Sequence, residues 1–154
     1  MKIRVIWEGR TRDERFRALQ SEYTERIAHF VPLKVEEGRE DPRAKGAAKG
    51  KLTPFEERLS GKTRDCLIVV LDPRGQEWTS EKFAAWLGQQ ALQGTKELAF
   101  VVGGAEGFSE PFRRRAGLLL SLSRMTLTHD WARTLLLEQI YRGFTILRGY
   151  PYPR

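Results

Sequence analysis

Three short apolar runs place the tightest limit on how this chain can fold. They are Cys66–Leu71, Leu98–Val102 and Leu118–Leu122. Runs that are apolar nearly throughout are typical of strands buried on both faces, as in the middle of a parallel sheet. Helical patterns alternate with these runs along the chain. The sequence therefore predicts an α/β fold, in which helices flank a parallel sheet.

A glycine-rich segment, Gly103-Gly104-Ala105-Glu106-Gly107, directly follows the second run. Glycine has no Cβ, so a ligand can approach the backbone closely there. Ligands of open α/β sheets bind beyond the carboxyl ends of strands, and the loop Ser123–His129 starts at another such end. We therefore predict one ligand site built from both loops. The segment lacks the Gly-x-Gly-x-x-Gly fingerprint, which argues against a dinucleotide oxidoreductase.

The N-terminal residues predict a strand, a helix and a second strand. Alternation over Ile3–Trp7 indicates the first strand, which Gly9 ends. Thr11 and Glu14 have the spacing of a capping box at the start of the helix. The apolar residues of one helical face are Phe16, Leu19, Tyr23, Ile27 and Phe30. Residues Leu33–Val35 then predict a short strand near an edge of the sheet.

Capping and turn residues predict where helices begin and where the chain turns in its middle part. The sequence Thr53-Pro54-Phe55-Glu56 combines an N-cap, a first-turn proline and a reciprocal glutamate, which predicts the start of a helix. Asp72–Gly75 predicts a turn. Thr79 or Ser80 then caps a helix, and its predicted buried stripe is Phe83, Trp86, Leu87 and Ala91.

Two more helices are predicted near the C-terminus. Ser109 caps a short one that presents Arg113–Arg115, of which at least two must face solvent or a phosphate. A long helix is predicted from Trp131 to about Leu147, with Asp130 as its N-cap. One face carries Leu136, Ile140, Phe144 and Leu147. Further apolar residues widen that face, namely Leu135, Leu137 and Tyr141, and predict a subunit interface.

The excess of basic residues favours a polyanionic partner, above all a nucleic acid. The net charge is +7, with 27 Lys and Arg residues. A basic protein without such a partner is the open alternative. Residues 39–51 are basic and lack periodicity, so they predict a mobile surface loop. Phosphate contact and a solvated insertion are equal alternatives for this segment.

The length of 154 residues predicts one domain, residues 1–154. No apolar run approaches the ~20 residues that span a bilayer, and the start does not resemble a signal peptide, so we expect a cytoplasmic protein. Cys66 is the single cysteine, and no Cys/His spacing predicts a metal site. Gly61-Lys62-Thr63 resembles the end of a P-loop, but Glu56 stands where the first glycine belongs.

Four segments occur in one order along the chain: Val101–Gly107, Leu122–His129, Glu138–Arg142 and Pro151-Tyr152. Together they resemble the RlmH family, small bacterial methyltransferases of large-subunit ribosomal RNA in the SPOUT class. The resemblance implies a parallel α/β domain with a C-terminal trefoil knot, and a homodimer. It also implies methylation of a pseudouridine at N3 by S-adenosylmethionine, on the assembled ribosome.

Motif matching with this family assigns a cofactor pocket. Its residues are Leu71, Gly103, Gly104, Leu122, Ser123, Arg124, Met125, Thr126 and Leu127. His129 is the first candidate for removing the N3 proton, with loop orientation or phosphate contact as the alternative. Arg133 and Arg142 are candidates for contacts with RNA or a second subunit. Tyr152 can stack on the target base or pack on a partner subunit.

The chain departs from the family pattern at two positions. Pro153 stands where a terminal histidine is expected, and Thr128 replaces a common proline before His129. These departures leave the identity of the general base open. Two alternatives also stay open: a SPOUT methyltransferase with a different RNA target, and a ribosome-binding factor without enzymatic activity.

Overall fold

The computed structural model describes residues 1–40 and 50–153. Its strands are β1 (Lys2–Glu8), β2 (Leu33–Gly38), β3 (Leu67–Glu77), β4 (Glu97–Val102) and β5 (Leu118–Ser121). Its helices are α1 (Glu14–Ala28), α2 (Pro54–Lys62), α3 (Ser80–Leu92), α4 (Glu110–Arg113) and α5 (His129–Arg148). Most of the predicted loop 39–51 lies outside the described residues. No helix in the described part of the chain is long and apolar enough to cross a membrane.

The five strands form one parallel sheet in the order β2-β1-β4-β3-β5. The predicted parallel α/β fold is therefore confirmed, as is the edge position of β2. Strand β4 lies at the centre, where residues 98–102 are buried, and this explains its continuous apolar run. The trefoil knot stays a prediction. Because all strands are parallel, the carboxyl ends of β1, β3, β4 and β5 lie along the same edge of the sheet.

Helices cover both faces of the sheet and enclose two apolar cores. Val5 and Phe100 belong to the larger core, under α1, α3 and α5. Ile6 and Val101 belong to the smaller core, under α2 and α4. Successive residues of a strand point to opposite faces, so each central strand supplies both cores.

Two predicted helix caps were wrong. Asp13, not Thr11, is the N-cap of α1, and its side chain accepts a hydrogen bond from the backbone N–H of Arg15. Thr128, not Asp130, is the N-cap of α5, so the helix begins at His129. Asp130 lies in the first turn of α5, where its negative charge interacts favourably with the positive end of the helix dipole.

The predicted turn Asp72–Gly75 does not end its strand. Strand β3 continues to Glu77, and the four residues bulge from its ladder with β5. Leu71 and Gln76 both pair with Leu120, which defines the bulge. Gly75 lies close to β5, since a Cβ there would be 2.7 Å from the backbone of Leu119.

The predicted helix faces are correct except at a few positions. Leu19, Ala91 and Leu147 are exposed, whereas Ala84 is buried in α3. Leu137, which we expected to widen an interface, is fully buried within this chain. Helix α5 packs against both α1 and α3, so these helices cover much of its apolar surface. The second subunit stays a prediction.

Candidate active site

A cavity of about 250 Å³ lies beyond the carboxyl ends of β3, β4 and β5. The glycine loop (Gly103–Phe108) and the loop Leu122–Leu127 form its walls. We call it the glycine-loop cavity. It brings together all nine residues predicted to bind the cofactor, with His129 at its border. Their role as cofactor ligands stays a prediction.

Short-range hydrogen bonds shape the loop that follows β5. The Ser121 hydroxyl donates to the carbonyl of Ser123 at 3.0 Å, and the Ser123 hydroxyl accepts the backbone N–H of Met125 at 2.9 Å. The Arg124 guanidinium donates to the Glu77 carboxylate on β3, at 2.9 and 3.0 Å. The first half of the loop is therefore anchored to itself and to β3.

The glycine loop makes a tight turn against an aromatic ring. The backbone N–H of Gly107 donates to the carbonyl of Gly104 at 3.0 Å, and Gly107 has a φ of 68°. Glycine adopts this left-handed conformation without steric cost. A Cβ on Gly103 would lie 3.0 Å from the ring of Phe108, so a larger residue there would displace the ring. Phe108 itself lines the cavity.

An ion pair fixes the floor of the cavity beside the β3 bulge. The Arg113 guanidinium donates to the buried carboxylate of Asp72 at 2.6 Å. The other Asp72 oxygen accepts the backbone N–H of Arg74 at 2.8 Å. Arg114 and Arg115 are exposed, as predicted. They directly follow α4, which ends at Arg113.

A second cavity of about 280 Å³ adjoins the first across the glycine loop. We call it the Glu8 cavity. The residues that line both cavities are Gly104, Ala105, Gly107, Phe108 and His129. Glu8 ends β1, and its Oε2 lies 3.0 Å from where a Cβ on Gly104 would stand. Burial raises the pKa of the Glu8 carboxyl, the nearby Glu40 raises it further, and the backbone N–H of Gly104 opposes the shift.

Arg133 forms another wall of the Glu8 cavity and is buried, with 4% exposed surface. Its guanidinium donates to the Thr11 hydroxyl at 3.0 Å and to the carbonyl of Glu8. It also lies 5.2 Å from the centre of the Trp7 ring. The Nε–H of Arg133 has no acceptor within residues 1–40 and 50–153. Its contact with RNA or a second subunit stays a prediction, and among the described residues the Glu8 cavity is where such a contact could form.

Arg142 and Tyr152 lie in a separate cluster at the C-terminal end of α5. The Arg142 guanidinium donates to the Glu138 carboxylate, one helical turn before it, at 2.6 Å and lies 4.7 Å from the centre of the Tyr152 ring. The Tyr152 hydroxyl donates to Glu138 at 3.2 Å and lies 3.0 Å from the Tyr23 hydroxyl. Burial and the Tyr23 hydroxyl raise the pKa of the Tyr152 phenol.

This C-terminal cluster borders an open cleft of about 1220 Å³. Among the described residues, the cleft and the glycine-loop cavity share no lining residue. Within a single chain, therefore, His129 lies beside the predicted cofactor residues, and the other two predicted catalytic residues do not. Arg142 and Tyr152 contact each other and Glu138 instead.

Two carboxylates near the glycine loop were not among the predicted site residues. Glu8 lines the second cavity, and Glu56 accepts hydrogen bonds from Ser109 at the end of the loop. The signal for Glu8 was its position directly after the first strand, at the sheet edge where ligands bind. Glu56 was predicted as a capping residue, and nothing in the local sequence indicates its bond to Ser109.

Sequence comparison finds relatives along the whole chain. Residues 1–153 match the family model described as "Predicted SPOUT methyltransferase". A protein of Geobacter sulfurreducens named ribosomal RNA large subunit methyltransferase H is 44% identical over 154 residues, which cover 99% of each chain. A protein of the same name from Trichlorobacter lovleyi is 43% identical over 152 residues, again with 99% of each chain covered.

Structural comparison supports the same fold. The tRNA (m1G37) methyltransferase of Aquifex aeolicus superimposes with a TM-score of 0.57 at 14% identity, over all of this chain and 75% of that one. TrmJ of Z. mobilis gives a TM-score of 0.51 at 16% identity, over 99% of this chain and 73% of that one. At such low identity these matches concern the fold alone.

Proposed function

The chain belongs to the family of ribosomal RNA large subunit methyltransferases H, within the SPOUT methyltransferases, and from this premise we propose its reaction. It transfers a methyl group from S-adenosylmethionine to N3 of a pseudouridine in large-subunit ribosomal RNA. The substrate is the assembled ribosome, so the protein acts in the cytoplasm. Residues 1–154 act as one methyltransferase domain.

The observation that carries this proposal is the convergence of all nine predicted cofactor residues on the glycine-loop cavity. Leu71, Val102 and Leu127 supply apolar walls. The loop backbone and the side chains of Ser123 and Thr126 offer donors and acceptors of the kind that an adenine edge needs. The residues of this cavity therefore fit S-adenosylmethionine.

The two adjoining cavities together provide enough room for the reaction. The glycine-loop cavity alone, at about 250 Å³, is smaller than the ~300–1,000 Å³ typical of small-molecule sites. The Glu8 cavity adds about 280 Å³ on the other side of the glycine loop. Together the two cavities fall within that range, and the glycine loop lines both of them.

When bound, S-adenosylmethionine supplies a methyl group activated by its sulfonium. The protein has to hold the base in line with that methyl group, exclude water and accept the N3 proton. His129 borders both cavities and can contact the base or an adjacent phosphate. The net charge of +7 favours binding to the RNA backbone.

The catalytic roles of Arg142 and Tyr152 depend on a homodimer. Both residues line the C-terminal cleft and not the glycine-loop cavity of their own chain. A second copy must bring this cluster to the cofactor. Exposed apolar side chains beside the cluster support such an interface, with exposed fractions of 41% for Ile146, 42% for Leu147 and 58% for Tyr150.

Transfer of labelled methyl groups tests the proposed function. The protein is offered ribosomes that lack the modification, naked ribosomal RNA and transfer RNA, and the labelled nucleotide is mapped. We expect label at N3 of one pseudouridine, on ribosomes alone. Label on transfer RNA would identify a different target, and no label despite cofactor binding would contradict the proposed substrate.

A further inference from the structure

We propose that the Glu8 cavity binds the imide edge of the target base and that Glu8 accepts the proton from its N3. This inference rests on the proposed function, because it locates the nucleotide of that reaction. It assigns to Glu8 the role for which the sequence placed His129 first. His129, on the border of both cavities, is then free to contact the nucleotide.

The position of Glu8 places it next to the glycine loop, which also lines the cavity predicted to hold the cofactor. Glu8 ends β1, next to β4, and the glycine loop starts at the carboxyl end of β4. Its carboxylate faces Gly104, since Oε2 lies 3.0 Å from a Cβ position there. The glycine loop lines both cavities. A base held against Glu8 and a cofactor in the glycine-loop cavity would therefore contact the same residues of the loop, and transfer requires that the two meet past Gly104.

The walls of the cavity match the hydrogen-bonding pattern of an imide. A uracil-type imide presents an N–H donor between two carbonyl acceptors. Glu8 offers the acceptor. The Nε–H of Arg133 is a donor without a partner within the described residues, but the atom is buried, so the guanidinium must turn towards the cavity to reach a base. Burying an unpaired donor costs free energy unless a ligand supplies its acceptor. A carbonyl of the base supplies that acceptor.

The methyl transfer balances when Glu8 takes the N3 proton. The electron pair of the N3–H bond forms the new bond from N3 to the methyl carbon. The bond between that carbon and sulfur breaks, and its electron pair stays on sulfur as a neutral thioether. The sulfonium charge and the carboxylate charge disappear together, which is favourable in a site of low dielectric.

Charged groups around Glu8 change the pKa of its carboxyl and so its strength as a base. Glu40, Glu56 and Arg58 act on its carboxylate through space. Other titratable or charged residues line the same cavity, namely Arg10, Glu106, His129, Asp130 and Arg133. Burial and Glu40 raise the pKa of the Glu8 carboxyl, so it accepts a proton more readily than an exposed glutamate.

A matched pair of variants tests the role of Glu8. Glu8→Gln keeps the size of the side chain and removes its ability to accept a proton. We expect turnover on ribosomes to fall by ~100-fold or more, with unchanged affinity for S-adenosylmethionine by calorimetry. Glu57→Gln, exposed on α2, should leave both unchanged. Full turnover of Glu8→Gln, or weakened cofactor binding, would overturn the proposal.

A second measurement needs neither a variant nor turnover. The unaltered protein, saturated with S-adenosylhomocysteine, is titrated with pseudouridine nucleoside and followed by NMR. We expect the amide signals of Gly104 and Phe108 to shift, and to shift less with N3-methylpseudouridine. Absence of shifts there would overturn the base site. Shifts there without label on any RNA would contradict the proposed function alone.

Discussion

The buried carboxylate of Glu56 accepts hydrogen bonds from both the backbone N–H and the hydroxyl of Ser109, at 2.7 and 2.6 Å. The same carboxylate accepts the backbone N–H of Thr53 at 2.9 Å and completes the capping box of α2. Ser109 is the N-cap of α4 and directly follows the glycine loop. One side chain therefore joins the starts of two helices and fixes one end of the loop between the two cavities.

Replacing Glu56 by Ala should destabilise the protein by ~2–4 kcal/mol, because it removes a cap and leaves two part-buried donors of Ser109 without their acceptor. Urea unfolding measures the loss. Glu57→Ala is the matched control on an exposed side of the same helix, and it should stay within ~0.5 kcal/mol. Equal losses in both variants would contradict a specific role for the bonds between Glu56 and Ser109.

Two glycines should respond to alanine in opposite directions. A Cβ on Gly75 would lie 2.7 Å from the backbone of Leu119, so Gly75→Ala should cost ~1–3 kcal/mol as β5 moves away. Gly61, in α2, has nothing within 4 Å of its Cβ position in the described part of the chain. Gly61→Ala should therefore stabilise by ~0.5–1 kcal/mol. Thermal unfolding compares the two, and equal melting temperatures would contradict the close packing at Gly75.

Local sequence patterns predicted the sheet and its helices well, and failed where distant residues compete. Thr11 has the spacing of a capping residue, but its hydroxyl accepts a bond from Arg133 and its backbone N–H donates to Glu37. Asp72–Gly75 has turn chemistry, yet pairing with β5 resumes at Gln76. In both cases the partner is more than twenty-five residues away in sequence.

The same reasoning explains which parts of the site could be predicted. The loops at Gly103 and Leu122 each follow an apolar strand, so the sequence alone indicates that they meet. The contact between Glu8 and the glycine loop depends on β1 lying beside β4, and the local patterns do not reveal this strand order. Arg133 was predicted to contact RNA or a second subunit, and no local pattern indicated that the ring of Trp7 and the hydroxyl of Thr11 would hold it in the wall of the Glu8 cavity.

Replacing Gly103 by Val should weaken binding of S-adenosylmethionine by more than ~10-fold, or ~1.4 kcal/mol. The added side chain would push the Phe108 ring, 3.0 Å from the Cβ position, into the glycine-loop cavity. Calorimetry measures the affinity, and circular dichroism checks that the fold is retained. Unchanged affinity would exclude Gly103 from the cofactor site.

Replacing Tyr152 by Phe should reduce turnover by ~10-fold and leave cofactor affinity unchanged. The variant keeps the ring beside Arg142 and loses the hydroxyl contacts with Tyr23 and Glu138. Tyr150→Phe is the control, since it removes a phenol hydroxyl but keeps the ring that we place at the subunit interface. Steady-state kinetics on ribosomes compares the two, and a fully active Tyr152→Phe would show that the hydroxyl plays no part in catalysis.

Replacing Glu8 by Gln should stabilise the free protein at neutral pH but not in acid. Burial raises the pKa of Glu8 in the folded state above its ordinary value of 4.5, so the folded state binds this proton more tightly than the unfolded state. That contribution to stability is fully present below the unfolded pKa and is lost as the pH rises through the folded pKa. At higher pH the folded protein carries the partly buried negative charge of Glu8, and the neutral glutamine of the variant removes that charge.

Urea unfolding from about pH 4 to pH 8 measures this effect. The stability difference between Glu8→Gln and the unaltered protein should grow as the pH rises and then level off. Glu57→Gln should show no such growth, because that side chain is exposed. A constant difference for Glu8→Gln would contradict the raised pKa. A variant that is more stable yet inactive would show that Glu8 is kept, at a cost in stability, for the reaction.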